Sequence, residues 1–417
     1  MLDSERHYIL SVKDESSKFC YKLKSNIQTA IDTSLTMRRI LLILPTDSLK
    51  GGAETVLHLI AKELATDSNT QITIAFLTGR VYHSWDRLGE LPNVSLIFTK
   101  SKNVWMGIPK LVLNLIGLRI KFDICFTSHT DMTGIVGLLK RLHLLSIQNF
   151  VARESCSVFL RYKRPPLRFR IHHAFGYPAV NLLICQTQRM KEQFIQGAPR
   201  LARRIQVIEV LPNPIDLDRI RANEQNPTHT KFAPSFRYIV AAGRLIPIKG
   251  FDLLIKAFAL LRKETKFEDT RLVILGEGEC RRSLETLTCQ LNLNNEIELI
   301  GNVENVYPYF RQATLCVVSS LLEGFPNVLL QMMSQCDRVV STLCAGGIDT
   351  IDGVLTCPPN QVSSLYEVMK ESLEKDTVGN RQLFNQTLND RSITLFIQKL
   401  YILINRLTDS KNTESYL

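Results

Sequence analysis

The sequence predicts an α/β chain built as two doubly wound halves, each a parallel sheet covered by helices. Short apolar runs of strand length alternate with stretches of helical spacing from residue 40 onward, the pattern of parallel strands joined by crossover helices. The alternation lapses at 219–235, where Asn, Pro, Thr and Lys collect as in a linker. A length of 417 residues accommodates two such halves at roughly 150 residues per domain.

In the first half, Ile40–Leu44 reads as a buried strand, Gly51-Gly-Ala-Glu54 as a turn and Thr55–Ala65 as an amphipathic helix. Ile72–Leu77, Val94–Phe98, Ile124–Thr127, Ile147–Ala152, Leu182–Cys185 and Ile205–Ile208 read as further strands. In the second half the strands are Tyr238–Ala242, Arg271–Leu275, Ile297–Ile300, Leu315–Val318 and Val339–Thr342, with helices at Leu253–Leu261, Leu284–Leu291, from Pro326, and at Thr394–Leu407. Two Rossmann-like halves with a ligand cleft between their strand ends is the economical arrangement. The expected divisions are a flexible leader over 1–36, an N-terminal domain over 37–218, a linker over 219–235, a C-terminal domain over 236–388, and a final helix and tail over 389–417. Met37 is expected to begin the functional chain, because Arg38 leads straight into the first strand while the polar leader lacks a core-forming pattern.

Hydrophobic content of 45% and charged content of 22% are ordinary for a globular protein. Ten cysteines include no Cys-x-x-Cys pair and mostly sit in apolar runs, as reduced core thiols do. That usage fits a reducing cytosol. No apolar run approaches the roughly 18 residues of a membrane span, and Met-Leu-Asp-Ser-Glu-Arg at the start is no secretory signal.

The net charge of +11 suggests a polyanion nearby. Arg161-Tyr-Lys-Arg-Pro-Pro-Leu-Arg-Phe-Arg-Ile-His-His173 holds five Arg or Lys with interleaved apolar residues. Without a nucleic-acid fold signature, an anionic membrane ranks above nucleic acid as its partner, with Leu167 and Phe169 reaching the interface. A plain solvated face is the other reading.

Two segments carry the chemistry. Glu323-Gly-Phe-Pro-Asn-Val-Leu-Leu-Gln331 follows a buried strand and opens a helix. A helix start offers free N–H groups and a positive dipole to phosphate oxygens, and Glu323 can accept hydrogen bonds from sugar hydroxyls. An ordinary strand-to-helix turn with a solvated Glu would look the same. Gly243-Arg-Leu-Ile-Pro-Ile-Lys-Gly250 also links a strand to a helix, and would project Arg244 and Lys249 into the cleft. Fixed cations there would stabilise the charge growing on a departing diphosphate. Two surface cations flanking a turn are the bland alternative.

These segments occur in order with Gly276-Glu-Gly278 and Arg281, Gly301-Asn-Val-Glu-Asn-Val306, Gly346-Gly-Ile-Asp349, and, in the first half, Gly51-Gly-Ala-Glu54 and Pro212-Asn-Pro-Ile-Asp216. The ordered set resembles the family 4 retaining glycosyltransferases of the GT-B fold, over about residues 38–410. The resemblance implies a nucleotide-sugar against the C-terminal half, with Arg244 and Lys249 on its phosphates and Glu323 beside its sugar. Gly243, Gly324, Phe325, Pro326, Asn327 and Val328 would line the donor, mainly through backbone N–H groups, and Gly51 and Gly52 would close from the opposite domain. It further implies a C-terminal helix that crosses back to the N-terminal domain.

One position departs from the family pattern. Gln331 stands where a second Glu would contact the nucleotide ribose, and an amide can also serve ribose hydroxyls. On the acceptor side, His129 lies near, but offset from, the family's His, and a structural loop His is the competing reading. Arg153-Glu154 resembles a pair seen in members that handle N-acetylhexosamine donors, or is a strand-end salt bridge. Asp216-Leu-Asp218 has the Asp-x-Asp form of a metal site but follows Pro-Asn-Pro-Ile, where Asp caps helices. Gly276-Glu-Gly278 lacks the third glycine of a dinucleotide fingerprint.

The function the resemblance implies is metal-independent transfer of a hexose or N-acetylhexosamine, with retention, from a UDP-linked donor to a lipid-linked, lipopolysaccharide or capsule glycan. No cofactor or nucleic-acid partner is expected. The expected place is the cytoplasm, peripheral on the inner face of the plasma membrane. A nucleotide-sugar 2-epimerase and a non-catalytic glycan-binding subunit are the rivals.

Overall fold

The computed structural model describes residues 37–49, 51–118, 120–155, 158–162, 165–223 and 236–414. The expected leader and most of the expected linker lie outside these residues.

The N-terminal domain is a seven-stranded parallel sheet: β1 (Arg38–Leu44), β2 (Thr70–Phe76), β3 (Val94–Phe98), β4 (Phe122–Thr127), β5 (Ile147–Arg153), β6 (Leu182–Cys185) and β7 (Val207–Val210). Their order is β3-β2-β1-β4-β5-β6-β7. Ile40 to Leu44 are buried on both faces of the sheet, which is why β1 reads as an unbroken apolar run rather than an alternating one. The principal helices are α1 (Gly52–Leu64), α2 (Val104–Leu118), α3 (Thr130–Arg141), α4 (Leu167–Phe175) and α5 (Gln188–Gly197). Val56, Leu57, Ile60, Ala61 and Leu64 put one stripe of α1 into the core. α2 and α3 cover the other face through Leu111, Leu115, Met132, Val136 and Leu139.

The C-terminal domain repeats the plan with six parallel strands: β8 (Tyr238–Ala242), β9 (Arg271–Leu275), β10 (Ile297–Gly301), β11 (Leu315–Val318), β12 (Val339–Thr342) and β13 (Val354–Cys357). Their order, β10-β9-β8-β11-β12-β13, is that of the first six strands of the other sheet. Between β7 and β8 lies α6 (Leu217–Asn223); then come α7 (Phe251–Leu261), α8 (Arg281–Gln290), α9 (Asn327–Met333), α10 (Val362–Glu374), α11 (Asn380–Asn389) and α12 (Ile393–Glu414). This is the two-domain arrangement expected, and α12 does cross back. Phe396, Ile397, Leu400, Ile404 and Leu407 are buried in the N-terminal core, and Thr394 donates to Glu63 on α1 at 2.6 Å.

Three expected boundaries shift. The chain first crosses between domains at 212–214, ahead of the expected 218, because Leu211 packs in the N-terminal core while Ile215 and Ile220 pack in the C-terminal one. Arg219 to Asn223, expected as linker, continue α6. Gly52 to Glu54, expected as a turn, form the first turn of α1, with Gly51 as its extended N-cap.

Candidate functional site

In a doubly wound sheet, the loops on either side of the strand where the order reverses splay apart and leave a crevice at the carboxyl ends. The reversal falls between β1 and β4 in one domain and between β8 and β11 in the other. The loops after those four strands carry Gly51-Gly52, His129, Arg244 with Lys249, and Glu323. Residues far apart in sequence thus meet at one cleft.

Lys249 and Glu323 form its tightest ion pair, Nζ to Oε1 at 2.7 Å, with both side chains mostly buried. The same carboxylate oxygen accepts from Ser320 Oγ at 2.6 Å, and the Glu323 N–H donates to the Cys344 carbonyl at 2.8 Å. Ser319 Oγ donates to the Lys249 carbonyl at 2.9 Å. Between the two loops sits Gly250, at φ +62°, where an added Cβ would lie 2.3 Å from the Ser319 carbonyl. Only glycine accommodates both the left-handed backbone and that approach. Arg244 stands on the same loop with an exposed side chain. Gly276 and Gly278 let the neighbouring loop press on this one, since Cβ atoms there would fall 1.9 Å from the Gly243 carbonyl and 2.4 Å from that of Leu245. Arg281 is held by Glu277 at 2.6 Å and the Leu299 carbonyl at 2.9 Å, so it braces that loop.

The Glu323–Gln331 segment reaches across to the N-terminal domain. A Cβ on Gly324 would lie 2.4 Å from the Ser155 carbonyl, and one on Gly52 would lie 3.3 Å from Asn327 Nδ2. Pro326 is the N-cap of α9 rather than its first residue, which leaves the first-turn N–H groups of Asn327 and Val328 without partners inside the helix. Phe325 turns into the C-terminal core, beneath the Arg391 guanidinium at 4.6 Å, so only its backbone is available to the cleft. Gln331 lies beside Tyr307.

Behind this segment runs a buried polar network that crosses the domain boundary. Arg153 donates to Ser128 Oγ at 3.0 Å and to Asn213 Oδ1. Asn213 Nδ2 in turn donates to Gln186 Oε1 at 2.8 Å and to Asn327 Oδ1 at 2.6 Å. Gln186 donates to the Glu154 carbonyl at 2.8 Å. Arg153 and Glu154 therefore do not pair with each other as the strand-end salt bridge that was one expectation. They are 4% and 5% exposed, and each uses other partners. The Glu154 carboxylate accepts from Tyr177 at 2.6 Å. Burial pushes Glu154 up to about 7 and Arg153 down to about 10.

His129 is the N-cap of α3, just after β4, and pairs with Glu54 of α1, Nε2 to Oε1 at 3.0 Å. Burial would raise the Glu54 carboxyl, but the His129 hydrogen bond and charge, with the field of Arg244 from the facing domain, hold it below its usual value. Asp216 accepts from the Arg219 N–H at 2.9 Å and pairs with Lys62 at 3.0 Å, so it works as a helix cap.

Glu54, Ser128, Gln186, Asn213, Ser320 and Tyr177 were not among the expected site residues. For Asn213 a signal exists. Prolines on both sides hold it extended, at the point where the chain crosses between domains. One expectation for the basic run is corrected: Leu167 is exposed, but Phe169 is buried, packed beneath Arg168 at 4.7 Å and beside Tyr162.

Residues 236–375 match the family described as Glycosyl transferases group 1. The chain is 31% identical over 207 residues to the Campylobacter jejuni N-acetylgalactosamine-N,N'-diacetylbacillosaminyl-diphospho-undecaprenol 4-alpha-N-acetylgalactosaminyltransferase, covering 48% of this chain and 53% of that one. A second Campylobacter jejuni protein, the GalNAc-alpha-(1->4)-GalNAc-alpha-(1->3)-diNAcBac-PP-undecaprenol alpha-1,4-N-acetyl-D-galactosaminyltransferase, is 24% identical over 350 residues, 79% of this chain and 89% of that one. An uncharacterized glycosyltransferase of Methanocaldococcus jannaschii is 28% identical over 194 residues, 46% of each chain. The chain thus spans about half the length of two of these relatives, 53% of the first Campylobacter jejuni protein and 46% of the Methanocaldococcus jannaschii one. Among solved structures, Anabaena HepE in complex with UDP and glucose superposes with a TM-score of 0.72 at 15% identity, over 88% of this chain and 100% of that one. Residues 236–375 thus carry the group 1 glycosyltransferase match, and the chain as a whole has the two-domain GT-B fold.

Proposed function

We propose that the protein is a retaining glycosyltransferase that moves a hexose or N-acetylhexosamine from a UDP-linked donor to a glycan carried on a lipid. The observation that supports it best is the Lys249–Glu323 pair at the β8 and β11 strand ends, with the exposed Arg244 on the same loop as Lys249. Two relatives act, by their names, on undecaprenol-linked glycans and transfer N-acetylgalactosamine, and a structural neighbour was solved with UDP and glucose.

In this reading, Lys249 and Arg244 stabilise the diphosphate as its bond to the anomeric carbon breaks. The first-turn amides of α9 hold phosphate or sugar oxygens, Glu323 orients sugar hydroxyls, and Gln331 takes the ribose. Gly51 and Gly52 close on the donor from the N-terminal domain, while His129, Arg153 and Glu154 stand on the acceptor side. The acceptor hydroxyl attacks on the face the diphosphate leaves, forms the new carbon–oxygen bond, and passes its proton to the departing phosphate oxygen. Retention follows from that shared face. The reaction is placed on the cytoplasmic side of a membrane and without a metal.

The test is incubation of the full chain with a panel of UDP-sugars and an undecaprenol-diphosphate-linked glycan, with the product linkage read by NMR. An α-linked product from an α-linked donor supports the reading. Epimer release without acceptor would favour the epimerase, and UDP binding without turnover the non-catalytic subunit.

A further inference from the structure

Resting on the lipid-linked acceptor proposed above, the geometry points to an anionic bilayer surface as the docking partner of the N-terminal helical face formed by α2, α3 and α4. Two independent observations meet there. The first is charge. Residues 91–191 hold fifteen Lys and Arg against three Asp and Glu, a net +12, while the whole chain is +11. The rest of the molecule is therefore close to neutral, and the basic excess belongs to the segment that builds these helices. No acid at all occurs between Glu90 and Asp123.

The second is apolar exposure on the same helices. α2 buries Gly107, Leu111 and Leu115 against the sheet, yet its outer side shows Trp105, Met106, Leu113 and Ile116, with Trp105 59% and Leu113 70% exposed. Four large apolar side chains exposed on the outer side of one helix make a patch that calls for cover. α4 adds exposed Leu167 and Ile171. Lys102, Lys110, Arg168 and Arg170 are exposed among them. Large apolar side chains interspersed with cations suit a headgroup layer, where the rings and aliphatic chains enter and the charges meet lipid phosphate. Trp at the margin of such a face is the usual interfacial anchor.

The face is also oriented. α3 starts at His129 on the cleft edge, and α4 runs alongside it in the same direction, because Gly134 meets His172 and Gly137 meets Gly176. Leu167 therefore lies at the cleft end of α4. Trp105 and Met106 open α2 just after β3, at the same sheet edge. Docked through this end, the protein would present its cleft mouth to the bilayer, where a lipid-linked glycan emerges.

The test uses the full chain with phosphatidylcholine vesicles, with and without phosphatidylglycerol, and no donor or acceptor. The chain has two Trp, and Trp85 is already buried, so a blue shift of emission on adding vesicles reports Trp105. Co-sedimentation with anionic vesicles and a blue shift are expected, and Trp105→Phe should lose the shift but keep the binding. Joint Lys102→Glu and Lys110→Glu substitution should lower partitioning by about tenfold or more. Val378→Ser, on the most exposed apolar residue of the C-terminal domain (88% exposed), should change neither. Four results would overturn the proposal: no vesicle binding, unaltered binding by the charge-reversed variant, preference for polyuridylate over vesicles, or a concentration-dependent dimer that buries Trp105 in place of lipid. UDP binding measured on the same preparation separates the two readings. Its retention alongside failed docking rejects only the docking surface, and its absence in the parent protein rejects the transferase.

Discussion

Asn213 donates its side-chain amide to Asn327 Oδ1 at 2.6 Å, and this contact ties the crossing strand of the chain to the first residue of α9. Through its own Oδ1, Asn213 also receives Arg153. A single amide thus links a buried cation of the N-terminal domain to the helix start that the proposed donor would occupy. Side chains that share one hydrogen-bond network couple energetically. A double-mutant cycle of Asn213→Ala and Asn327→Ala on kcat/KM should show a coupling of about 1 kcal/mol. Strict additivity of the two changes would mean the contact carries nothing between the domains.

Lys249→Ala and Arg244→Ala are each expected to lower turnover by roughly a hundredfold. Their stability effects should differ. Arg244 is exposed, so its removal should leave the unfolding temperature unchanged. Lys249 is mostly buried against Glu323, and its loss strands a desolvated carboxylate, which destabilises. Thermal unfolding measured beside steady-state kinetics separates the two, and transfer at the parent rate by either variant would refute the donor-site assignment.

Glu323→Gln keeps the shape of the side chain and removes its charge. Transfer should fall while the fold persists, because the amide oxygen can still accept from Ser320 although Lys249 loses its counter-ion. Gln331→Glu restores the family's second carboxylate next to Tyr307, and UDP affinity measured by calorimetry should be retained or rise. A large loss of UDP affinity in Gln331→Glu would place the ribose elsewhere.

Much of this was legible in the sequence, for identifiable reasons. Strands such as Leu182–Cys185, Tyr238–Ala242 and Leu315–Val318 are buried on both faces, so they appear as compact apolar runs with clear ends. β7 was displaced, to Val207–Val210, because it is a half-buried edge strand without such a run. α1 began earlier than expected because its first turn is glycine-rich, and glycine there serves close approach to Glu54 and Asn327 rather than a turn. Arg244, Lys249 and Glu323 could be placed at the strand ends because each follows a buried apolar run, while the roles proposed for them come from the ordered set of motifs. The Ser128–Arg153–Asn213–Asn327 network could not, since each member is an unremarkable polar residue and only the docking of two domains brings them together.

His173 gives the fold a dependence on pH. It lies among Phe159, Tyr177 and Phe194, with ring centroids at 5.6, 4.7 and 6.1 Å. Burial, assisted by the neighbouring His172, depresses it from 6.5 to about 4. A histidine with a depressed folded pKa binds fewer protons in the folded state, so its contribution is fully present above pH 6.5 and is lost as pH falls toward 4. The unfolding temperature should therefore drop across that window. His58, depressed to about 4 chiefly by burial as well, acts in the same direction, so His173→Phe should remove part of the decline and not all of it. Phenylalanine fills the aromatic cluster but cannot take a proton, so at pH 7.5 the variant should match the parent while near pH 5 it should unfold at a higher temperature. Parallel curves for the two proteins from pH 7.5 to pH 4.5 would show that His173 does not titrate on unfolding.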